Sequence, residues 1–302
     1  MSNWKTFIRG TLARAYKYSG AMWLHERMLC RQFLTILLFH RVTDLIPEDG
    51  LTVSVSRFRR ICDMLRRGFH VVPLAEVFDI LREGRPMPRR TVAITFDDCY
   101  LDNLRAAEIL RDYGFPATFF LPTSFVGTTR VFDWDRGLPF LGNLSWDHAR
   151  EMAAMGHDIG SHSVTHANLG VVAVDQAWDE LVDSRKTIED NIGRPCRFFA
   201  YPFGGPHHLR PEYVPMIERA GYDGAVTAFG GFVRPGMAGR VLPREAVPYF
   251  QSLAHLELHL SGCLHWWYDL RGRERGCSGT PDAEMEAGDV RAHALQPAVT
   301  PR

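Results

Sequence analysis

Short runs of apolar, β-favouring residues recur along this chain, and most are followed by a stretch with helical spacing. The runs lie at 33–39 (FLTILLF), 70–72 (HVV), 91–96 (TVAITF), 117–121 (ATFFL), 157–161 (HDIGS), 197–201 (RFFAY) and 224–227 (GAVT). Each has strand length and is bounded by Gly, Pro or charged residues. Between them, Phe58, Ile61, Cys62 and Leu65 trace one helical face, behind a cap at Ser54 or Ser56 and with Gly68 past its end. Leu74, Val77, Phe78 and Leu81 trace a second, stopped by Gly84. Further helices are predicted over 102–113, 145–155, 174–191 and 211–220. Strand and helix in alternation imply βαβ units and a parallel sheet. The expected fold class is therefore α/β: a distorted barrel of seven β/α units with parallel strands, an open doubly wound sheet being the alternative. The region 122–144 has no periodicity and holds Trp134 in a Gly- and Asp-rich loop, a length associated with function.

The ends of the chain read differently. Residues 1–32 are expected to form a helical extension, 33–250 the barrel, 251–270 a C-terminal amphipathic helix and 271–302 a disordered tail poor in large apolar residues. The 302 residues carry 35 basic and 35 acidic side chains, so no electrostatic footprint for nucleic acid is present. Six scattered cysteines make neither a zinc-ribbon spacing nor a disulfide framework. No apolar core with a cleavage site follows the N-terminus, and the 33–39 run is far short of a membrane span. The expectation is a cytoplasmic protein. Trp266, Trp267 and Tyr268 beside Arg271, Arg273 and Arg275 suggest peripheral membrane contact through the C-terminal helix. Oligomeric state is not readable.

The chemistry gathers where strands end. In a parallel barrel, active sites lie at the C-terminal ends of the strands. Here those ends carry His40, the pair Asp97-Asp98, His162 and Pro202-Phe203-Gly204. Adjacent carboxylates after a buried strand are costly unless paired or metal-bound. By itself the pair is equally a helix cap. His162 and His166 stand four apart, so one helical turn would set both imidazoles toward one ion. Two nitrogens, one carboxylate oxygen and an open position form a catalytic metal arrangement, leaving the second Asp free to act as a base. The set suits Zn²⁺, and Co²⁺, Mn²⁺ or Ni²⁺ as well.

Thr95-Phe96-Asp97-Asp98, His162-Ser163-Val164-Thr165-His166 and Tyr201-Pro202-Phe203-Gly204, in that order, resemble the first three motifs of the polysaccharide deacetylases, the NodB-homology fold of the carbohydrate esterase family 4 type. The resemblance runs from about Phe33 to Pro248. It implies a divalent metal, usually zinc, and removal of N-acetyl groups from an amino-sugar glycan, in exopolysaccharide or cell-envelope metabolism. Carried over, it makes Asp98, His162 and His166 the metal ligands and Asp97 the general base. The Phe203 backbone N–H becomes an oxyanion donor, and Tyr201, Pro202, Phe203 and Gly204 substrate contacts; Trp134, in the long loop, is read as a further pocket aromatic that contacts substrate.

The sequence departs from the family pattern at three places. Cys99 replaces the usual Gly after the Asp pair, and a cysteine there predicts negative φ. Ala200 stands where many members carry the Arg that pairs with the base; Arg244 is the candidate replacement. The letters of the last motif occur at Leu256–His259, but the spacing of Leu253, Leu256 and Leu260 predicts a plain helix, leaving His40 as the better-placed general acid. Two other readings remain: a two-His, one-carboxylate Fe(II) oxygenase site, and a carbohydrate-binding barrel without catalysis.

Overall fold

The computed structural model describes residues 32–250 and 252–263. Residues 1–31 of the extension expected over 1–32, the aromatic stretch from 264 and the tail over 271–302 lie outside these residues.

Strand β1 (Leu34–Phe39) opens a sheet whose strands all run parallel. A short parallel pair, β2 (Arg41–Val42) and β3 (Thr52–Val53), stands apart from it. Helix α1 (Val55–Gly68) follows, capped by Ser54, whose hydroxyl accepts from the Arg57 N–H. Then come β4 (His70–Val71), α2 (Leu74–Arg82), β5 (Thr91–Phe96), α3 (Asp102–Tyr113), β6 (Thr118–Leu121), α4 (Trp146–Ala154) and β7 (Asp158–Ser161). The chain continues through α5 (Val174–Ile192), β8 (Phe198–Ala200), α6 (Val214–Arg219), β9 (Gly224–Val226), β10 (Val241–Leu242), β11 (Glu245–Ala246) and α7 (Leu253–Leu260). Helix α6 is shorter than expected: Pro211–Tyr213 is a separate 3₁₀ turn before it.

The strand order is β10-β9-β8-β7-β6-β5-β1-β11. Its two edge strands are separated in sequence only by Pro243-Arg244, so one short segment joins both edges of the sheet and closes the barrel. This differs from a ring of the seven runs read from sequence. Strand β4 pairs with β5 alone, at its start, and the seventh staves of the ring come from 241–246.

Alternation along the strands separates two cores. Leu34, Ile36, Ala93, Phe120, Phe198, Ala200, Val226 and Leu242 point into the barrel, where α2 plugs the base with Leu74, Val77, Phe78 and Ile80. Leu81, expected on that face, is only half-buried; Ile80 takes the place. Gly224 leaves the room that the Phe78 ring fills. The alternate residues pack outward under the helices. There Phe39, Phe96 and Phe119 lie in register across three strands, with ring centroids 5.2 and 4.7 Å apart. That ladder fixes the register, and with it the level of the residues one step above.

Candidate active site

One step above Leu38, Thr95, Gly160 and Leu242, on the inward face, stand His40, Asp97, His162 and Arg244. The pairing Leu38↔Thr95 puts the first two on neighbouring staves. The pairing Ser161↔Phe199 sets His162 beside Ala200, whose carbonyl accepts from His162 Nδ1 at 2.8 Å. That bond fixes the tautomer and leaves Nε2 as a lone-pair donor.

Asp98, His162 and His166 converge, one donor atom from each lying within 4.8 Å of the others. Asp98 Oδ1 is 3.4 Å from His162 Nε2 and 3.3 Å from His166 Nε2. This buried oxygen receives no hydrogen bond of ordinary length. Three converging donors without a hydrogen bond to satisfy the oxygen fit a divalent cation with an open position. Burial alone raises the Asp98 carboxyl, but the two imidazoles outweigh it and hold the group well below its usual range. Burial lowers His166, the more so because His162 lies beside it, which favours the neutral, ligating form. For His162, burial is outweighed by Asp97 and Asp98, and its proton affinity is raised.

Asp97 has a different environment. Arg244 Nη1 donates to Oδ1 at 2.7 Å and Nη2 to Oδ2 at 2.6 Å. The remaining contacts hold the fork itself: Nε donates to the Thr227 carbonyl at 2.7 Å, Nη1 to Thr95 Oγ1 at 3.1 Å, and the guanidinium lies over the Phe120 ring. Burial pushes Asp97 up, and Arg244 with His162 brings it below the ordinary value. Arg244 thus occupies the place that Ala200 cannot fill.

His40 is held at the same rim by its backbone, whose carbonyl accepts from Asn103 Nδ2 at 2.7 Å. Its Nδ1 is buried without a hydrogen bond. Burial lowers its proton affinity against the opposing pull of Asp98 and Asp97. His259 lies elsewhere. It is buried on α7, with Nε2 3.5 Å from Glu245 and its ring against Phe232 and Phe250. Glu245 is the alternate neighbour of Arg244, so His259 sits on the outer side of the barrel wall.

Six non-glycine residues among those described have positive φ, and all but Arg90 belong to this site: Asp98, Cys99, Ser163, His166 and Phe203. Cys99, expected at negative φ, is at 51°. The turn that swings Asp98 (φ 77°) away from Asp97 continues through it, and the Cys99 carbonyl is fixed by the Leu144 N–H at 2.8 Å. Conformations of this kind cost about 1–3 kcal/mol each and persist where surrounding bonds dictate them. Around His162–His166 those bonds come from Glu180, a buried carboxylate on α5. It accepts from the N–H groups of Val164 and Thr165 at 2.7 and 2.9 Å and from Thr165 Oγ1 at 2.6 Å. Glu180 escapes a motif search, yet an acid at helical spacing among Ala177, Leu181 and Ile188, on the buried face of α5, is a visible signal.

The third motif divides. Phe203 is half-exposed, its ring 4.8 Å from His166 and 6.0 Å from Trp134. Trp134 is 5.4 Å from His166 and stacks on Phe132. These rings wall one side of the site. Tyr201 does not join them. By strand alternation it shares the outward face with Phe199, 5.2 Å away, and is 1% exposed, so its expected substrate contact is corrected to core packing. Pro202 and Gly204 are likewise buried.

Residues 84–224 match the family model described as polysaccharide deacetylase. The protein YxkH of Bacillus subtilis (strain 168) is 27% identical over 209 residues, 68% of this chain and 67% of that relative. The Streptococcus pyogenes deacetylase PplD, solved in complex with acetate, shares the fold with a TM-score of 0.64 at 22% identity, over 76% of this chain and 98% of that one. IcaB from Ammonifex degensii gives 0.63 at 23% identity, over 76% and 97%. No helix among the described residues is long and apolar enough to cross a membrane.

Proposed function

We propose that this chain, which belongs to the polysaccharide deacetylases, hydrolyses N-acetyl groups from an amino-sugar glycan, giving acetate and a free amine. The observation that carries the reading is the division of labour between adjacent carboxylates: Asp98 faces two imidazoles, Asp97 an arginine fork. Two carboxylates held in different environments are the usual mark of distinct chemical roles.

Asp98, His162 and His166 would hold a divalent ion, for which zinc is the best match to two nitrogens and one oxygen. Such an ion, when bound, polarises a carbonyl and brings the pKa of water to about 7. Asp97 stays ionised at neutral pH and takes the proton of the attacking water, while Arg244 fixes the direction of its lone pairs. The Phe203 N–H stabilises the developing oxyanion. The departing amine needs one proton, which balances the one Asp97 has taken from water, and His40, at the same rim, is the group placed to pass it on. The Asp97–Arg244 pair also favours hydrolysis over an Fe(II) oxygenase, which requires no second carboxylate as a base.

The test is acetate release from a panel of N-acetylated glycans, with and without a chelator. Release that requires the metal supports the reading; a chain that releases no acetate from any member, with metal restored, rejects it. The same panel tests the exopolysaccharide or cell-envelope setting through the preferred glycan.

A further inference from the structure

A second buried network runs alongside the reacting groups, and the roles proposed above leave it unused. Arg41 follows His40 directly and is 1% exposed. Its Nη1 donates to Asp135 Oδ1 at 2.5 Å, and its Nη2 to Asp49 Oδ2 at 2.9 Å. Tyr100, two residues past Asp98, donates its hydroxyl to Asp135 Oδ2 at 2.6 Å. The same hydroxyl oxygen accepts from Trp134 Nε1 at 3.1 Å. Tyr100 and Asp135 are both buried. The flanks of the loop are already zipped to the catalytic turn, through Leu144 N to Cys99 O and Leu101 N to Gly142 O. The network is therefore not needed to tether the loop. What it adds is the angle of one indole.

We propose that Tyr100 and Asp135 are positioning residues that fix Trp134 as the binding wall for the sugar ring bearing the acetamide, with Arg41, on β2 next to His40, locking Asp135. The inference rests on the deacetylase reading. Trp134 lies edge-to-face with His166 and with Phe203, their ring centroids 5.4 and 6.0 Å away, so a small rotation of the indole would narrow or open the site mouth. Rotation about the indole side chain is opposed at one end by stacking on Phe132, 4.5 Å away, and at the other by the bond to Tyr100. Aromatic faces suit the apolar face of a sugar, and a wall held in one rotamer binds without the cost of ordering it. The wall acts on the saccharide and not on the acyl group. The substrate class singled out is then an N-acetylated saccharide, in preference to a small acyl ester that has no ring to place.

The experiment compares the full-length, metal-loaded wild type with Tyr100→Phe, Trp134→Phe and the double variant. Two substrates are used, an N-acetylated oligosaccharide and 4-nitrophenyl acetate. Tyr100→Phe should raise KM for the oligosaccharide about ten-fold, the scale of a lost buried hydrogen bond, with little change in kcat or in ester hydrolysis. In the Trp134→Phe background the same change should have no further effect on KM, because its route runs through the indole. Equal losses on both substrates, an unmoved oligosaccharide KM, or additive effects in the double variant would overturn the proposal. Should Tyr100→Phe fold poorly, Trp134→Phe reads the link from its other end, and must by itself raise KM for the oligosaccharide alone. A wild type inert toward the oligosaccharide, whatever its ester activity, rejects the deacetylase reading, and the wall with it; an active wild type with unmoved variants rejects only the wall.

Discussion

Arg244 grips Asp97 through two parallel hydrogen bonds across 147 positions of sequence. The arginine comes from the two-residue segment between the sheet's edge strands, so the proposed base is supported from the seam of the barrel. Removing it leaves a buried carboxylate without its cation. Arg244→Ala should lower stability by about 3–5 kcal/mol, the cost of breaking a buried pair. If soluble, it should bind metal and turn over slowly. Arg244→Lys restores charge but not the fork and should recover only part of the rate. Denaturant melts and metal analysis on both variants check this. Wild-type rates in Arg244→Ala would show that the pair is structural only.

The metal ligands and the base should separate cleanly. His162→Ala and His166→Ala each remove one of three donors and should lose bound metal. Asp97→Asn should retain it and lose activity about 10²–10⁴-fold. Elemental analysis beside turnover distinguishes the two classes, and full metal occupancy in both histidine variants would remove the proposed site.

Glu180 offers a third check. Its carboxylate organises the turn between the two histidines without facing the metal position. Glu180→Gln keeps an acceptor but loses the charge that strengthens the bonds to Val164 and Thr165. Metal affinity should fall about ten- to a hundred-fold, the range seen for groups that orient ligands. Competition with a chromogenic chelator measures it; unchanged affinity would mean that the turn holds itself.

Cys99 should be dispensable as a thiol. Burial and the adjacent Asp98 push it well above the ordinary thiol range, so it is not a nucleophile at neutral pH. At φ 51° glycine carries less strain. Cys99→Gly should keep activity, with relief of about 1 kcal/mol offsetting part of the lost packing. Loss of most activity with metal retained would contradict this.

Asp102 makes stability depend on pH. Burial raises its carboxyl to about 6, against the bonds from Val42 and Asn103 that favour ionisation. Between its ordinary value near 4 and 6, the native state holds a proton that the unfolded chain releases. Stability from this group is therefore present at low pH and falls as pH rises through that window, by up to about 3 kcal/mol for two units. Asp102→Asn removes the titration. Its melting temperature relative to wild type should rise from pH 4 to pH 8; a constant difference would count against the shift.

What the sequence reveals follows from the length over which each signal is written. Six-residue strands such as Thr91–Phe96 and helices such as Val174–Ile192 carry their period openly. The strand ends then place His40, Asp97, Asp98 and His162 on one rim. Strands β10 and β11 have two residues each, with Pro243 between them, and no periodicity survives at that length. Arg244 is legible only as the answer to a missing charge at Ala200. A motif treats its residues as a unit, which suggests substrate contact for Tyr201. Residues two apart share a face only while a strand lasts, and this strand ends at Ala200. The turn at Phe203 (φ 63°) brings that ring to the surface while Tyr201 stays in the core. At Cys99 a general preference for negative φ yields to a turn fixed by its neighbours.

The central claim is hydrolysis of a sugar acetamide at the Asp98–His162–His166 centre with Asp97 as the base. The most direct measurement follows acetate and free amine together on one N-acetylated oligosaccharide. It compares the metal-loaded wild type, the chelated protein, the chelated protein after metal is restored, and metal-loaded Asp97→Asn. Equal amounts of acetate and amine are expected from the first and third and almost none from the other two. Undiminished release after chelation, or from Asp97→Asn, would contradict the claim.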